Sequence, residues 1–169
     1  MKFRIEKVDV PKQSELASSL KDAYFFDAYR FPNKNKRSSM QVWLEHATKT
    51  PAWVNMLMAL RNKIVSLFGL NNLGHLGDLE AGKNASDYRV GDRVGIFTLL
   101  SVNENEIILG DSDKHLDVKV SVFTHDGIDD SVSISTVVHV HNMLGKVYML
   151  FVKPLHKLIV PSTITRAES

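Results

Sequence analysis

The chain contains no cysteine among its 169 residues. That excludes disulfide staples, thiolate nucleophiles and cysteine-ligated zinc. It also lacks an excess of either charge. Lys and Arg total 21 and Asp and Glu 19, a net charge of +2, too small to argue for a nucleic-acid partner. The one basic run, Lys34, Lys36 and Arg37, is short and lies among Pro32, Asn33 and Asn35, as a solvated loop does. No uncharged apolar run reaches the ~18 residues that a membrane span requires. Residues 1–20 hold no apolar stretch long enough for a signal peptide. Repeats, low-complexity segments and linkers are missing too. One soluble cytoplasmic domain over residues 1–169 is expected. Gly69, Gly74, Gly77, Gly82 and Gly91 follow no strand and precede no phosphate-binding helix, so they read as an irregular loop, and no cofactor is expected. Nor is there a nucleophile-elbow setting for a Ser, His and Asp triad.

What is present is a clear change of hydrophobic period along the chain. Residues 2–10 alternate, with Phe3 and Ile5 on one side, and read as a strand closed by Pro11. SELASSL reads as a short helix capped by Ser14. YFFDAYRF, residues 24–31, reads as a strand ended by Pro32. Residues 38–68 read as two helices. Ser38 or Ser39 caps the first. Thr50 and Pro51 start the second, and Gly69 ends it. The second helix is expected to bury Trp53, Met56, Leu57, Leu60, Ile64 and Leu67. From residue 93 to 142 the period is two, over RVGIFTLLSV, NEIILGD, HLDVKVSVF and SVSISTVVHVHN. Short connections make these four strands an antiparallel meander. The last helix starts at Asn142 and is expected to bury Leu144, Val147, Tyr148, Phe151, Leu155, Leu158 and Ile159, with Pro154 kinking or restarting it and Pro161 ending or kinking it. The expected class is α+β. A curved antiparallel sheet grips a long C-terminal helix, with two helices between the early strand and the meander.

The segments FFDAYRF, TPAWVNMLMALRNKIVSLFGL, GDSDKHLDVKVSV and STVVHVHNMLGKVYMLFVKPLHKLIV together resemble a bacterial domain-of-unknown-function family. The resemblance covers nearly the whole chain and lies near the START-like (polyketide-cyclase and lipid-transport-like) helix-grip superfamily. It implies a helix-grip fold and a ligand cavity, not a reaction. Members resemble this chain alone or stand behind an NAD-binding epimerase-like domain, which this sequence does not contain.

Strand parity sets out the histidines. Leu116, Val118, Val120 and Val122 share one face of their strand, and Val132, Ile134, Thr136, Val138 and Val140 share one face of the next. Pairing apolar with apolar brings His115 or Asp117 opposite His139, and Asp113 or His115 opposite His141. A metal needs three or four ligands converging within about 2 Å, whereas a sheet spreads opposite neighbours about 5 Å apart. The preferred reading is a solvated outer face with His–Asp cross-strand pairs. A metal site and a dimer interface are the two other uses of that face. Lys146, Lys153 and Lys157 line one helical face, either solvated or touching anionic lipid.

The first functional expectation is a protein that binds a small apolar or amphipathic molecule between the concave sheet face and the terminal helix. Its expected lining is Trp53, Leu57, Phe97, Leu99, Thr136, Val138, Tyr148 and Phe151, with Thr136, Asn142, Tyr148 and His156 as polar contacts. His156 reads either as such a contact or as a structural histidine bonded to the carbonyl freed by Pro154. The alternatives are a cyclase-, hydrolase- or isomerase-type enzyme using His156 or a Tyr148–Asp pair, and a non-catalytic homodimeric interaction module.

Overall fold

The computed structural model describes residues 4–67, 74–127 and 130–169. Seven antiparallel strands form one curved sheet: β1 Glu6–Val8, β2 Phe25–Pro32, β3 Arg93–Val94, β4 Phe97–Val102, β5 Glu106–Ser112, β6 Leu116–His125 and β7 Ser131–Val140. Their spatial order is β1-β2-β7-β6-β5-β4-β3. Two helices, α1 Ser39–Thr48 and α2 Ala52–Ser66, lie between β2 and β3, and α3 Met143–Glu168 follows β7. The architecture is helix-grip-like.

The meander exists with the parity expected of it. Val118 pairs with Val138, Val122 with Ile134 and Asp117 with His139. The expected strand 93–102 is broken, because Gly95 adopts φ +64° and a side chain there would meet the Leu76 carbonyl. Only glycine serves where the left-handed conformation and a close backbone coincide. On the concave face Tyr29, Phe31, Leu99, Ile107, Leu109, Val122 and Val132 pack with Val42 and Trp43 of α1 and Ile164 of α3.

The opposite face is not simply solvated, as its serines suggest. Ser121, Ser133 and Ser135 are fully buried. A 3₁₀ helix, Glu15–Leu20, lies across that face, and Val10 and Leu16 pack on Ala28, Ile108 and Val137. The buried Glu106 carboxylate fixes this cover. It accepts from the hydroxyls of Ser14 and Ser121, and from the Glu15 amide at 2.8 Å. A buried carboxylate persists only with such a full set of donors.

The helices start and stop for local reasons. Ser38 accepts from the Gln41 amide, and Gln41 returns a bond to the Ser38 amide, which closes a capping box. Thr50 is not the cap of α2. Its hydroxyl donates to the His46 and Ala47 carbonyls at the end of α1, and Pro51 takes the cap position. Gly69 lies outside the described residues. Asn142 caps α3, accepting from Gly145. Gly145 itself is required, because a Cβ there would lie 2.5 Å from the His115 carbonyl oxygen. Neither Pro154 nor Pro161 restarts or ends α3, which runs on through both. Pro154 is exposed, so water can satisfy the carbonyl it frees.

The expected inward stripes of α2 and α3 are split: Leu57, Tyr148 and Ile159 are partly buried as expected, but most of the rest points outward. Met56, Leu60, Ile64 and Leu67 are exposed, as are Leu144, Val147, Phe151, Leu155 and Leu158. Val54, Asn62 and Val65 turn inward on α2, and Gly145, Met149, Ile164 and Ala167 on α3. Both helices are apolar around most of their circumference, so period alone does not choose the buried side.

The last turn of α3 is anchored by charge. Arg37 donates to Glu45 at 2.6 Å and to Glu168 at 2.8 Å. Burial works against the guanidinium, but these two carboxylates outweigh it and hold its pKa above the ordinary arginine value. Lys34 and Lys49 donate to the carbonyls of Glu168 and Ala167. Breaking a buried ion pair leaves its partner uncompensated, so Glu168→Ala should lower the unfolding free energy by about 3 kcal/mol. Urea denaturation measures this, and an unchanged midpoint would mean the anchor adds no stability.

Candidate functional site

A cavity of about 240 Å³ lies between the concave face of the sheet and the three helices. Phe97 of β4, Val120 of β6 and Ile134 and Thr136 of β7 form its floor. Trp43, His46 and Ala47 of α1 close one side, and Leu57, Met58 and Arg61 of α2 another. Tyr148, Val152, Leu155, His156 and Ile159 of α3 make the roof. Apolar cavities of about 150 Å³ already admit a benzene-sized molecule. This one therefore has room for a substituted ring or a short chain.

Five of the expected site residues, Leu57, Phe97, Thr136, Tyr148 and His156, lie on this wall. The other five stand elsewhere. Leu99 is fully buried in the main core. Val138 packs with Phe25 and Met149 in a separate cluster. Asn142 is the cap of α3 and bonds His115. Trp53 and Phe151 are exposed, Phe151 to 70%. Trp53 and Phe151 belong to the helix faces that point outward.

Two polar poles interrupt the apolar wall. At the first, His156 Nδ1 lies 3.1 Å from Asp27 Oδ2. It does not bond a carbonyl freed by Pro154. A carboxylate only accepts, so Nδ1 carries the hydrogen of this bond and Nε2 is the ring atom left for another partner. The ring stands edge-on to Phe25 at 5.4 Å between centroids. Asp27 is buried, and its Oδ1 has no hydrogen-bond partner among the described residues. Thr136 is its register partner on β7. Burial first, and then the Asp27 carboxylate, raises the pKa of the Tyr29 phenol above its ordinary value. At the second pole Arg61 Nε donates to the Tyr148 hydroxyl at 3.1 Å. That hydroxyl keeps its own hydrogen to donate onward.

Asp27 is the residue that the sequence reading missed. The signal was there, since period two places Asp27 on the same strand face as Phe25, Tyr29 and Phe31. An acid at an inward position of an aromatic strand calls for a partner, and α3 supplies His156.

His46 and Trp43 add unmatched polar atoms to the wall. His46 Nδ1 is 2.8 Å from the Val42 carbonyl, so it donates there. Its buried Nε2 and the buried indole Nε1 of Trp43 have no hydrogen-bond partner among the described residues. His46 Nε2 is 3.6 Å from Glu168, but burial keeps the ring below its ordinary pKa and therefore neutral, so this is not an ion pair.

The outer-face histidines do not converge. His141 Nε2 meets Asp117 at 3.0 Å, His139 Nε2 reaches the Lys21 carbonyl, and His115 turns to Asn142. Asp117 is held below the usual carboxylate range: burial opposes this, but the Ser112 hydroxyl and His141 prevail. Among the described residues no group of three or more His, Asp or Glu could hold a metal ion, and no helix is long and apolar enough to cross a membrane.

A family profile described as Protein of unknown function (DUF2867) matches residues 19–163, and the chain belongs to that family. No curated protein and no solved structure matches the chain significantly.

The His46 geometry fixes a pH dependence. In the unfolded chain His46 binds a proton near its ordinary pKa of about 6.5, and in the folded chain only at lower pH. The unfolded state then holds more protons as pH falls below the ordinary value, so folding stability declines in that direction and is full above it. Burial depresses His125 as well and adds a contribution of the same sign. Denaturation midpoints across the acid range should fall less steeply for His46→Gln than for the parent chain. Identical slopes would remove His46 from the effect.

Proposed function

We propose that this is a cytoplasmic START-like protein that binds one small, largely apolar molecule in the cavity beneath α3. The observation that carries this reading is the roofed apolar space with polar atoms confined to its poles, the form that small-molecule sites take. Buried polar atoms normally find partners. Trp43 and His46 line this wall, and among the described residues their buried Nε1 and Nε2 atoms find none. His156 Nε2 would accept a ligand hydroxyl or N–H, and Tyr148 would donate to a ligand carbonyl. Leu57, Phe97 and Thr136 supply apolar contact. The expected volume favours a substituted ring or short chain over a diacyl lipid.

The Asp27–His156 hydrogen bond favours a second reading, a proton-transfer enzyme of the cyclase, hydrolase or isomerase type on the same scaffold. There Asp27 would orient the ring and Nε2 would act as the base. Asp27→Asn would then abolish turnover while leaving ligand affinity within a few-fold. Parallel losses of both would assign the pair to binding alone.

The primary reading is tested by native mass spectrometry of gently purified protein, with titration of an apolar fluorescent probe such as N-phenyl-1-naphthylamine. A co-purifying organic mass or saturable probe binding is expected. Val152→Trp, which fills the cavity from the roof, should remove it without lowering the melting temperature by more than a few degrees. A bare mass together with no probe binding would overturn the proposal.

A further inference from the structure

The faces of α2 and α3 that turn away from the sheet are apolar and cationic at once. On α2, Met56, Leu60 and Leu67 are 68, 53 and 80% exposed. On α3, Leu150, Phe151 and Leu158 are 68, 70 and 62% exposed. Each set follows helical spacing, so each forms a stripe along its helix. The Arg61–Tyr148 hydrogen bond joins the two helices, and Leu155 is both exposed and part of the cavity wall. The stripes therefore border the cavity. Exposed apolar surface on this scale marks a surface that is covered in use.

Charge chooses the cover. Ala52–Ser66 holds no acidic residue, and the only one in Met143–Glu168 is Glu168, which is buried against Arg37. Lys63, Lys146 and Lys157 are exposed, and Lys153, exposed as well, sits at the flank of α3 with its ammonium 5.7 Å from the centre of the Phe25 ring. A second copy would set these lysines against their own counterparts, with no carboxylate on either helix to answer them. An anionic bilayer surface answers both features, taking the leucines and phenylalanine at the acyl boundary and the lysines at the headgroups.

We propose that the outer faces of α2 and α3 dock flat on an anionic lipid bilayer, with the cavity bordering the contact. The helices lie in the interface and do not cross it. This goes beyond the ligand-binding reading and does not depend on it, because docking is measured with no ligand added.

The test is co-sedimentation of the full chain with vesicles of phosphatidylcholine alone and of phosphatidylcholine with phosphatidylglycerol. Binding to the anionic vesicles only, weakened by high salt, is expected. Phe151→Asp should lower the vesicle partition coefficient about tenfold or more, and Lys153→Glu with Lys157→Glu should also weaken it. Lys12→Glu, away from these helices, should leave it unchanged. Because Phe151 is exposed, its variant should keep the parental melting temperature, which separates docking from folding. Equal binding to both vesicle types would overturn the anionic commitment. Absence of binding to either overturns the proposal, as does a dimer in light scattering that Phe151→Asp splits, which would assign the face to a second copy.

Discussion

The structure depends on α3 being tied down at its two ends and left to bridge between them. At its start, Asn142 caps the helix and reaches the Lys114 carbonyl, while Gly145 lets the first turn sit against the His115 carbonyl. At its end, Arg37 forks between Glu45 and Glu168, and Lys34 and Lys49 take the final carbonyls. Cations at a helix C-terminus complement both the unsatisfied carbonyls and the macrodipole. With the ends fixed, the stretch from Val152 to Ile159 spans the concave sheet and need not fill the space beneath it. The cavity is thus a consequence of the anchoring, and its roof is set by residues that do not line it.

The two faces of the sheet solve opposite problems. The concave face packs large apolar side chains and leaves a space. The other face presents serines and a glutamate, and the N-terminal segment covers its centre around Glu106. Serine is small enough for the covering 3₁₀ helix to come close, and the carboxylate gives that helix a single place to bond. Glu15 strengthens the fit by accepting from Ser101 on β4. The serine part of that face is a second layer held by hydrogen bonds, while the end with Asp117 and His141 stays partly exposed and carries the expected His–Asp pair.

Strand pairing was legible in the sequence because register follows a rule of two. A slip of one residue between β6 and β7 would have set the apolar side of one strand against the polar side of the other, so parity put Val118 and Val138 on one face; it left slips of two open, and the structure pairs Asp117, not His115, with His139. Helix orientation was not legible. The rule that apolar stripes face inward rests on the outside being water, and α2 and α3 carry apolar residues on both sides. Half of the expected lining followed from strand parity and from the inward side of α3. Phe151 and Trp53 fell outside it because they lie on the outward sides of α3 and α2. The pairing of Asp27 with His156 joins residues 129 apart in sequence, a proximity that no local pattern contains.

The position of β7 between β2 and β6 also governs when the sheet can close. Arg30 on β2 bonds Ser131 on β7 across 101 intervening steps of chain. The meander from β3 to β7 forms from neighbours, at small cost in chain entropy. β1 and β2 pair with each other, and the other edge of β2 is taken by β7. β7 is therefore the strand on which the β1–β2 hairpin and the meander from β3 to β6 meet, and the sheet is continuous only when β7 has paired along both of its edges.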